Sequence, residues 1–133
     1  MIKVLTVGVF DYFHYGHLLL LEQAKEHGDY LIVAVQENDS IKKYKPDSNI
    51  FYSTAQRIHI IKSLSIVNEV VTYRDVDTDI KSIDFDVLAL GEDQNHTGFQ
   101  KATEWCRENG KRVVSLKYTK GISSTMLKEV RGK

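Results

Sequence analysis

The run Tyr30-Leu31-Ile32-Val33-Ala34-Val35 is the feature that most limits the possible folds. It is apolar throughout and rich in branched residues, a pattern typical of a strand covered on both faces in a parallel sheet. Residues 16–27 carry leucines at helical spacing and end at Gly28, and residues 3–9 form an earlier apolar strand. Strand, helix and strand in this order predict a βαβ unit.

The same alternation continues along the chain. Further strands are predicted over residues 67–72, 86–90 and 112–116, and further helices over residues 54–64, 79–83 and 99–109. Residues 36–53 show no sustained period and contain the only proline, so they predict a long loop or a partly ordered flap. The whole pattern predicts an α/β fold: one domain over residues 1–133, with a Rossmann-like open parallel sheet and helices on both faces.

Composition argues against several classes of partner. The 18 Lys and Arg balance the 18 Asp and Glu, so no net charge favours nucleic acid or an anionic membrane, and we expect neither as a partner. No stretch approaches the roughly 20 apolar residues of a membrane span, and residues 1–5 enter a strand without the pattern of a signal peptide. The single cysteine, Cys106, lies in a predicted helix as a structural thiol. These features predict a cytoplasmic protein.

Residues 8–17 follow the first strand, and ligands of open α/β sheets bind beyond the carboxyl ends of the strands. His14 and His17 are three residues apart, and Gly16 between them opens the following helix. A helix N-terminus offers unpaired N–H groups and a positive dipole end, to which two imidazoles would add directed donors. The segment therefore predicts a phosphate site. The alternatives are simple helix capping and a metal site with Asp11 as third ligand.

Two ordered motifs resemble the signatures of the HxGH nucleotidyltransferases, and of their cytidylyltransferase group in particular. The first is Gly8-Val9-Phe10-Asp11 with His14-Tyr15-Gly16-His17, and the second is Thr119-Lys120-Gly121-Ile122-Ser123-Ser124-Thr125. Between them, the segment around Arg57 and the stretch Gly91-Glu92-Asp93 are similar to the middle of that fold. The resemblance spans nearly the whole chain and is strongest to the members that act on glycerol 3-phosphate.

The resemblance implies a reaction and its partners. A nucleotidyl group would pass from CTP to a small phosphorylated alcohol, with glycerol 3-phosphate as the first choice, to give a CDP-alcohol and pyrophosphate. Mg²⁺ would accompany the triphosphate, and the protein would form a homodimer, as is common in this group. The product would be an activated precursor of a cell-surface polymer of the wall or capsule.

The resemblance also assigns roles to residues. Those expected to act on the reacting phosphates are His14, His17, Lys43, Lys45 and Ser124. The histidines would stabilise charge in the transition state and on pyrophosphate, while the lysines would close over the phosphates from the long loop. Those expected to bind the nucleotide are Gly8, Val9, Phe10, Asp11, Gly16, Arg57, Gly91, Asp93, Thr119, Gly121, Ile122, Ser123 and Thr125.

Several of these residues have a second interpretation. Asp11 would lie near the second substrate or Mg²⁺, and Arg57 would offer paired donors to a phosphate. Alternatively, Arg57 forms a surface ion pair, the lysines belong to a solvated loop, and residues 123–125 only cap a helix.

Two positions depart from the family pattern. Cytidylyltransferases usually have arginine directly before the second motif, where this chain has Tyr118, and a phenol cannot replace a cationic fork. After Asp93, the members that act on glycerol 3-phosphate usually have tryptophan, where this chain has Gln94-Asn95-His96. These departures leave two alternatives open: an adenylyltransferase of the same superfamily, and a noncatalytic nucleotide-binding module.

Overall fold

The computed structural model describes residues 1–118, which contain five strands and five helices. In chain order these are β1 Lys3–Gly8, α1 Tyr15–Lys25, β2 Tyr30–Gln36, α2 Asn38–Tyr44, α3 Thr54–Lys62, β3 Glu69–Tyr73, α4 Val76–Asp79, β4 Val87–Gly91, α5 Thr97–Glu108 and β5 Arg112–Leu116. A 3₁₀ turn, Ile80–Ser82, continues α4. Within this part of the chain, no helix is long and apolar enough to cross a membrane.

The five strands form one parallel sheet in the order β3-β2-β1-β4-β5. β1 lies at the centre, the chain then builds outward through β2 and β3, and it returns to the other side of β1 for β4 and β5. The strand order therefore reverses between β1 and β4, which is where open α/β sheets bind their ligands. The predicted α/β class and open parallel sheet are confirmed.

Side-chain alternation along the strands divides the core between the two faces of the sheet. On β1, Val4 belongs to a buried cluster with Leu21 of α1 and Ile61 of α3. The next residue, Leu5, belongs to a second cluster that includes Ala102 of α5. The sheet is therefore covered by α1 and α3 on one face and by α5 on the other, as the apolar run of β2 predicted.

The helix α2 lies inside the segment 36–53, for which the sequence predicts a loop or flap. The prediction is therefore wrong for residues 38–44. This helix buries Ile41, which is 3% exposed, and also the side chain of Ser40, whose hydroxyl donates to the Arg74 carbonyl oxygen. A two-turn helix with one buried apolar residue shows no detectable period, because its other positions are polar and charged. The helix therefore depends on tertiary contacts that the sequence pattern does not show.

A buried arginine supports the turn that follows β1. Arg57 of α3 has no exposed surface. Its guanidinium donates to the Val9 carbonyl oxygen at 2.8 Å, to the side-chain oxygen of Asn38, and to Thr54 Oγ1 at 3.4 Å. Burial lowers the pKa of Arg57, while the negative charge of Asp11 opposes the shift. Arg57 thus ties α3, the start of α2 and the turn after β1 together.

This placement differs from the predicted contact between Arg57 and a phosphate. Its side chain does not line the cleft at the carboxyl ends of the strands. Its two terminal nitrogens donate beneath the turn, and its buried Nε has no hydrogen-bond partner among the described residues. The surface ion pair considered as its alternative does not describe Arg57 either, because the residue is buried and its hydrogen-bond acceptors among residues 1–118 are a carbonyl, an amide and a hydroxyl oxygen.

Arg57→Met keeps most of the volume of the side chain and removes its donors. The Val9 carbonyl oxygen and the Asn38 amide oxygen each lose a buried donor, so we expect the free energy of unfolding to fall by about 2–4 kcal/mol. Urea denaturation followed by circular dichroism measures the loss. Lys62→Met, at an exposed position of the same helix, is the control and should cost less than about 0.5 kcal/mol. Equal effects of the two variants would contradict the supporting role of Arg57.

Candidate active site

The crevice between the ends of β1 and β4 widens into a cleft of about 1060 Å³, measured over the described residues. Of the predicted site residues, those that line it are Gly8, Val9, Phe10, Asp11, His14, Gly16, His17, Lys45, Gly91 and Asp93. Lys43 and Arg57 do not line it. The predictions for Thr119, Gly121, Ile122, Ser123, Ser124 and Thr125 fall outside the described residues and stay predictions.

The turn after β1 has a left-handed backbone at two residues that are not glycine. Phe10 has φ of 56° and Tyr12 has φ of 50°, which costs on the order of 1 kcal/mol at each residue and must be held by neighbouring contacts. The Phe10 ring lies over Gly8, where an added Cβ would come within 2.9 Å of ring carbon Cε2. Gly8 is therefore needed for the close approach of this ring.

Asp11 joins the turn to the segment that precedes α3. Its side chain is 5% exposed, and its two carboxylate oxygens accept the Phe51 N–H at 2.7 Å and the Tyr52 N–H at 3.0 Å. The rings of Tyr12 and Phe51 also contact, with centroids 4.9 Å apart. The sequence did not indicate this structural role. The predicted contact of Asp11 with the second substrate or Mg²⁺ stays a prediction.

His14 and His17 come together at the N-terminus of α1. Their rings are stacked, with centroids 3.9 Å apart and planes inclined by 22°. The backbone N–H of His14, the N-cap residue, donates to Nδ1 of His17 at 3.2 Å. Because Nδ1 accepts this bond, the neutral His17 ring carries its proton on Nε2, and that nitrogen is a donor.

Both histidines are neutral in the free protein near pH 7. Burial lowers the pKa of His17 to about 3, with a smaller contribution from His14, while Asp11 opposes the shift. The His17 ring lies against the rings of Phe10 and Phe13, with centroids 5.6 Å and 5.3 Å away. Burial also lowers the pKa of His14. The N-terminus of α1 therefore offers neutral donors beside its positive dipole end.

A metal site at this position is not supported by the side chains around it. Residues 1–118 contain no group of three or more histidine, cysteine, aspartate or glutamate side chains that could hold a metal ion. Asp11, the third ligand considered from the sequence, directs both carboxylate oxygens to backbone N–H groups. Both carboxylate oxygens of Asp11 are therefore engaged by the main chain, and the phosphate site at His14 and His17 stays a prediction.

The two lysines predicted to cover the phosphates are separated. Lys45 lines the cleft. The Lys43 ammonium instead lies 3.5 Å from the Asp75 carboxylate and 5.3 Å from the centroid of the Tyr44 ring. Of the two lysines, only Lys45 lines the cleft, and its role at the phosphates stays a prediction.

Tyr118 closes the cleft on the side of β4. Its ring lies over Gly91, where an added Cβ would come within 2.8 Å of ring carbon Cζ. Burial and a side-chain hydrogen bond with Asp93 raise the pKa of Tyr118. The phenol that replaces the usual arginine therefore contacts Asp93 directly, and the absence of a side chain at Gly91 makes room for it.

Two further cleft residues, Gln94 and His96, entered the sequence analysis only as departures from the family pattern. His96 is the N-cap residue of α5, and its Nδ1 accepts the Gly98 N–H at 3.1 Å. A histidine that caps a helix has no signal in a single sequence. Gln94 is held by the main chain of both β1 and β4, and such a contact depends on strand order rather than on local pattern.

Similarity to known proteins covers almost the whole chain. Residues 5–130 match the Cytidylyltransferase-like family. Glycerol-3-phosphate cytidylyltransferase of Bacillus spizizenii is 37% identical over 133 residues, which cover 97% of this chain and 96% of that protein. FAD synthase of Thermococcus sibiricus is 40% identical over 97 residues, which cover 71% of this chain and 65% of that protein.

A solved structure shows the same fold. The crystal structure of the lipopolysaccharide core biosynthesis protein from Thermoplasma volcanium superposes with a TM-score of 0.73, at 24% identity, and covers 92% of this chain and 99% of that one. The family match and the stacked histidines at the end of β1 agree on one assignment. The chain belongs to the cytidylyltransferase-like family and is a nucleotidyltransferase.

Proposed function

We propose that the protein transfers the cytidylyl group of CTP to a small phosphorylated alcohol, with glycerol 3-phosphate as the first choice, and releases pyrophosphate. The observation that carries the proposal is the stacked, neutral pair of His14 and His17 at the N-terminus of α1. The choice of acceptor is supported by the B. spizizenii relative, which aligns over 97% of this chain.

The proposed reaction is a displacement at phosphorus. A phosphate oxygen of the acceptor forms a bond to the α-phosphorus of CTP, and the bond from that phosphorus to the oxygen of pyrophosphate breaks. The electron pair of the broken bond leaves with pyrophosphate. The acceptor phosphate is already an anion at neutral pH, so the protein needs no general base. Its contribution is to place the two substrates and to stabilise the charge that develops.

His17 is prepared to donate to a phosphate oxygen from Nε2, because its Nδ1 is occupied by the His14 N–H. His14 lines the same cleft, with its ring stacked on that of His17. Gly16 is buried in the first turn of α1, and its lack of a side chain lets a phosphate approach the backbone. Lys45 lines the same cleft and adds a positive charge.

We propose that Mg²⁺ enters as part of the nucleotide substrate. Magnesium bound to phosphates keeps several waters and needs only one or two protein carboxylates. The described cleft fits this requirement, since Asp93 lines it without belonging to a larger group of metal-binding side chains.

A second candidate is transfer of an adenylyl group from ATP. Tyr118 favours it, because the residue occupies the place of the arginine of the cytidylyltransferase pattern and binds Asp93 instead of offering a positive charge. The T. sibiricus relative, which is named an FAD synthase, is 40% identical over the 97 residues that align. The two candidates share the histidine pair and differ in the nucleobase.

Pyrophosphate release with Mg²⁺, each of the four nucleoside triphosphates and a panel of phosphorylated alcohols tests the proposal. We expect turnover with CTP and glycerol 3-phosphate, and a loss of at least about 100-fold in His17→Asn, because a donor to the transition state is removed. His59→Asn, at an exposed position of α3, is the matched control. Turnover with ATP alone would establish the second candidate. Binding without turnover across the whole panel would indicate a noncatalytic module.

Lys45→Met tests the charge on the cleft wall. The variant removes the ammonium and keeps the aliphatic length, so we expect kcat/KM for the nucleotide to fall about tenfold or more. Lys42→Met, one turn earlier on the exposed side of α2, is the control. Steady-state rates at varied nucleotide and fixed acceptor measure both variants. Equal kcat/KM values for Lys45→Met and the unchanged protein would show that Lys45 does not act on the nucleotide.

His17 also makes stability depend on pH. Its pKa of about 3 in the folded protein lies below the ordinary value of 6.5, so between these values the unfolded chain binds more protons than the folded one. The contribution of neutral His17 to the free energy of unfolding is therefore complete above about pH 6.5 and is lost as the pH falls toward 3. We expect the urea midpoint of His17→Asn to fall less between pH 7 and pH 5 than that of the unchanged protein. Parallel curves would contradict the neutral state of His17.

A further inference from the structure

β1 and β4 separate before either strand ends. Their pairing stops at Thr6 and Ala89, although β1 continues beside β2 to Gly8 and β4 continues beside β5 to Gly91. The main chain of Val7 and Gly91 therefore faces a gap at the point where the strand order reverses. In an open α/β sheet this gap is the floor of the ligand cleft.

One side chain fills the gap. The Gln94 amide donates from Nε2 to the Val7 carbonyl oxygen at 2.9 Å, and its Oε1 accepts the Gly91 N–H at 2.9 Å. The Gln94 backbone N–H also donates to the Gly91 carbonyl oxygen at 3.0 Å. Both ends of the amide are thus bonded to main chain, one on each strand, and the side chain replaces a rung of the missing ladder.

We propose that Gln94 is a positioning residue that sets the width of the nucleotide cleft. It links the end of β1, from which the turn to His14 and His17 departs, to the end of β4, from which Asp93 departs. The two walls between which the nucleotide would lie are held at one separation by this amide. The inference rests on the proposed function, because it assumes that a nucleoside triphosphate occupies this cleft.

The chemistry of the side chain makes the proposal specific to glutamine. An amide carries one donor and one acceptor group, which match a carbonyl oxygen on one strand and an N–H on the other. Glutamate at the same position still accepts from Gly91 but sets a carboxylate against the Val7 carbonyl oxygen, beside the expected triphosphate. Methionine has similar length and makes neither bond. The two variants therefore break the link in different ways.

We expect Gln94→Met to weaken binding of the triphosphate about tenfold, because the walls are no longer tied and two main-chain groups lose their partner. Gln94→Glu should weaken it further, since repulsion of the phosphates is added to the lost donor. The KM of the acceptor should change less than twofold in both variants. This difference between the two substrates separates positioning of the nucleotide from a general loss of structure.

Gln100→Met is the matched control. Gln100 is a second glutamine of the same region, and its Nε2 donates to the Asn95 carbonyl oxygen at 2.8 Å without reaching β1. It is exposed and does not line the cleft. The same substitution there should leave the triphosphate affinity within twofold of the unchanged protein.

The experiment is isothermal titration calorimetry of the four proteins with Mg·CTP and Mg·ATP, together with steady-state KM values and thermal midpoints. A selective loss of triphosphate affinity in both Gln94 variants supports the proposal. Unchanged affinity in Gln94→Met, or parallel losses for both substrates, overturns it while leaving the proposed function intact. If Gln94→Met does not fold, the triphosphate affinity and acceptor KM of Gln94→Glu test the proposal in the same way. If the unchanged protein binds neither triphosphate, both the proposed function and the role of Gln94 are rejected.

Discussion

The hydrogen bond from Arg57 to the Val9 carbonyl oxygen supports the turn on which the site is built. That turn contains two left-handed residues that no local preference favours. Arg57 donates a hydrogen bond to the turn, and Asp11 accepts hydrogen bonds from the segment before α3. The conformation of the turn is therefore determined by contacts with residues distant in sequence. Strain of this kind is common at functional sites, where the surrounding fold compensates for it.

The site combines neutral donors with little unpaired positive charge, while carboxylates such as Asp93 also line it. Both imidazoles are uncharged when the cleft is free. Among the described cleft residues, Arg74 is neutralised by Asp39, and Lys45 forms no ion pair with residues 1–118. Neutral hydrogen-bond donors stabilise developing negative charge when they are held in place before the reaction. They also hold a departing anion less firmly than permanent cations do, which suits the proposed release of pyrophosphate.

The sequence predicted what local patterns report and missed what depends on strand order. The apolar run at Tyr30 and the motif around Gly16 were sufficient for the sheet and for the histidine pair, because both are encoded within a few consecutive residues. The sequence wrongly predicts that Arg57 contacts a phosphate, because a single sequence does not distinguish a buried guanidinium from one that binds a ligand. The contacts of Gln94 can be predicted only if the residues at which β1 and β4 separate are known, and no pattern along the chain indicates those residues.

The Asp11 carboxylate accepts hydrogen bonds from Phe51 and Tyr52, which lie 40 and 41 positions further along the chain. During synthesis on the ribosome, the histidine motif therefore emerges long before the residues that complete its wall. A nascent chain that ends before Phe51 has the whole first motif but lacks both backbone partners of Asp11. The wall of the cleft that Asp11 holds can therefore be completed only after β2 and α2 have been made.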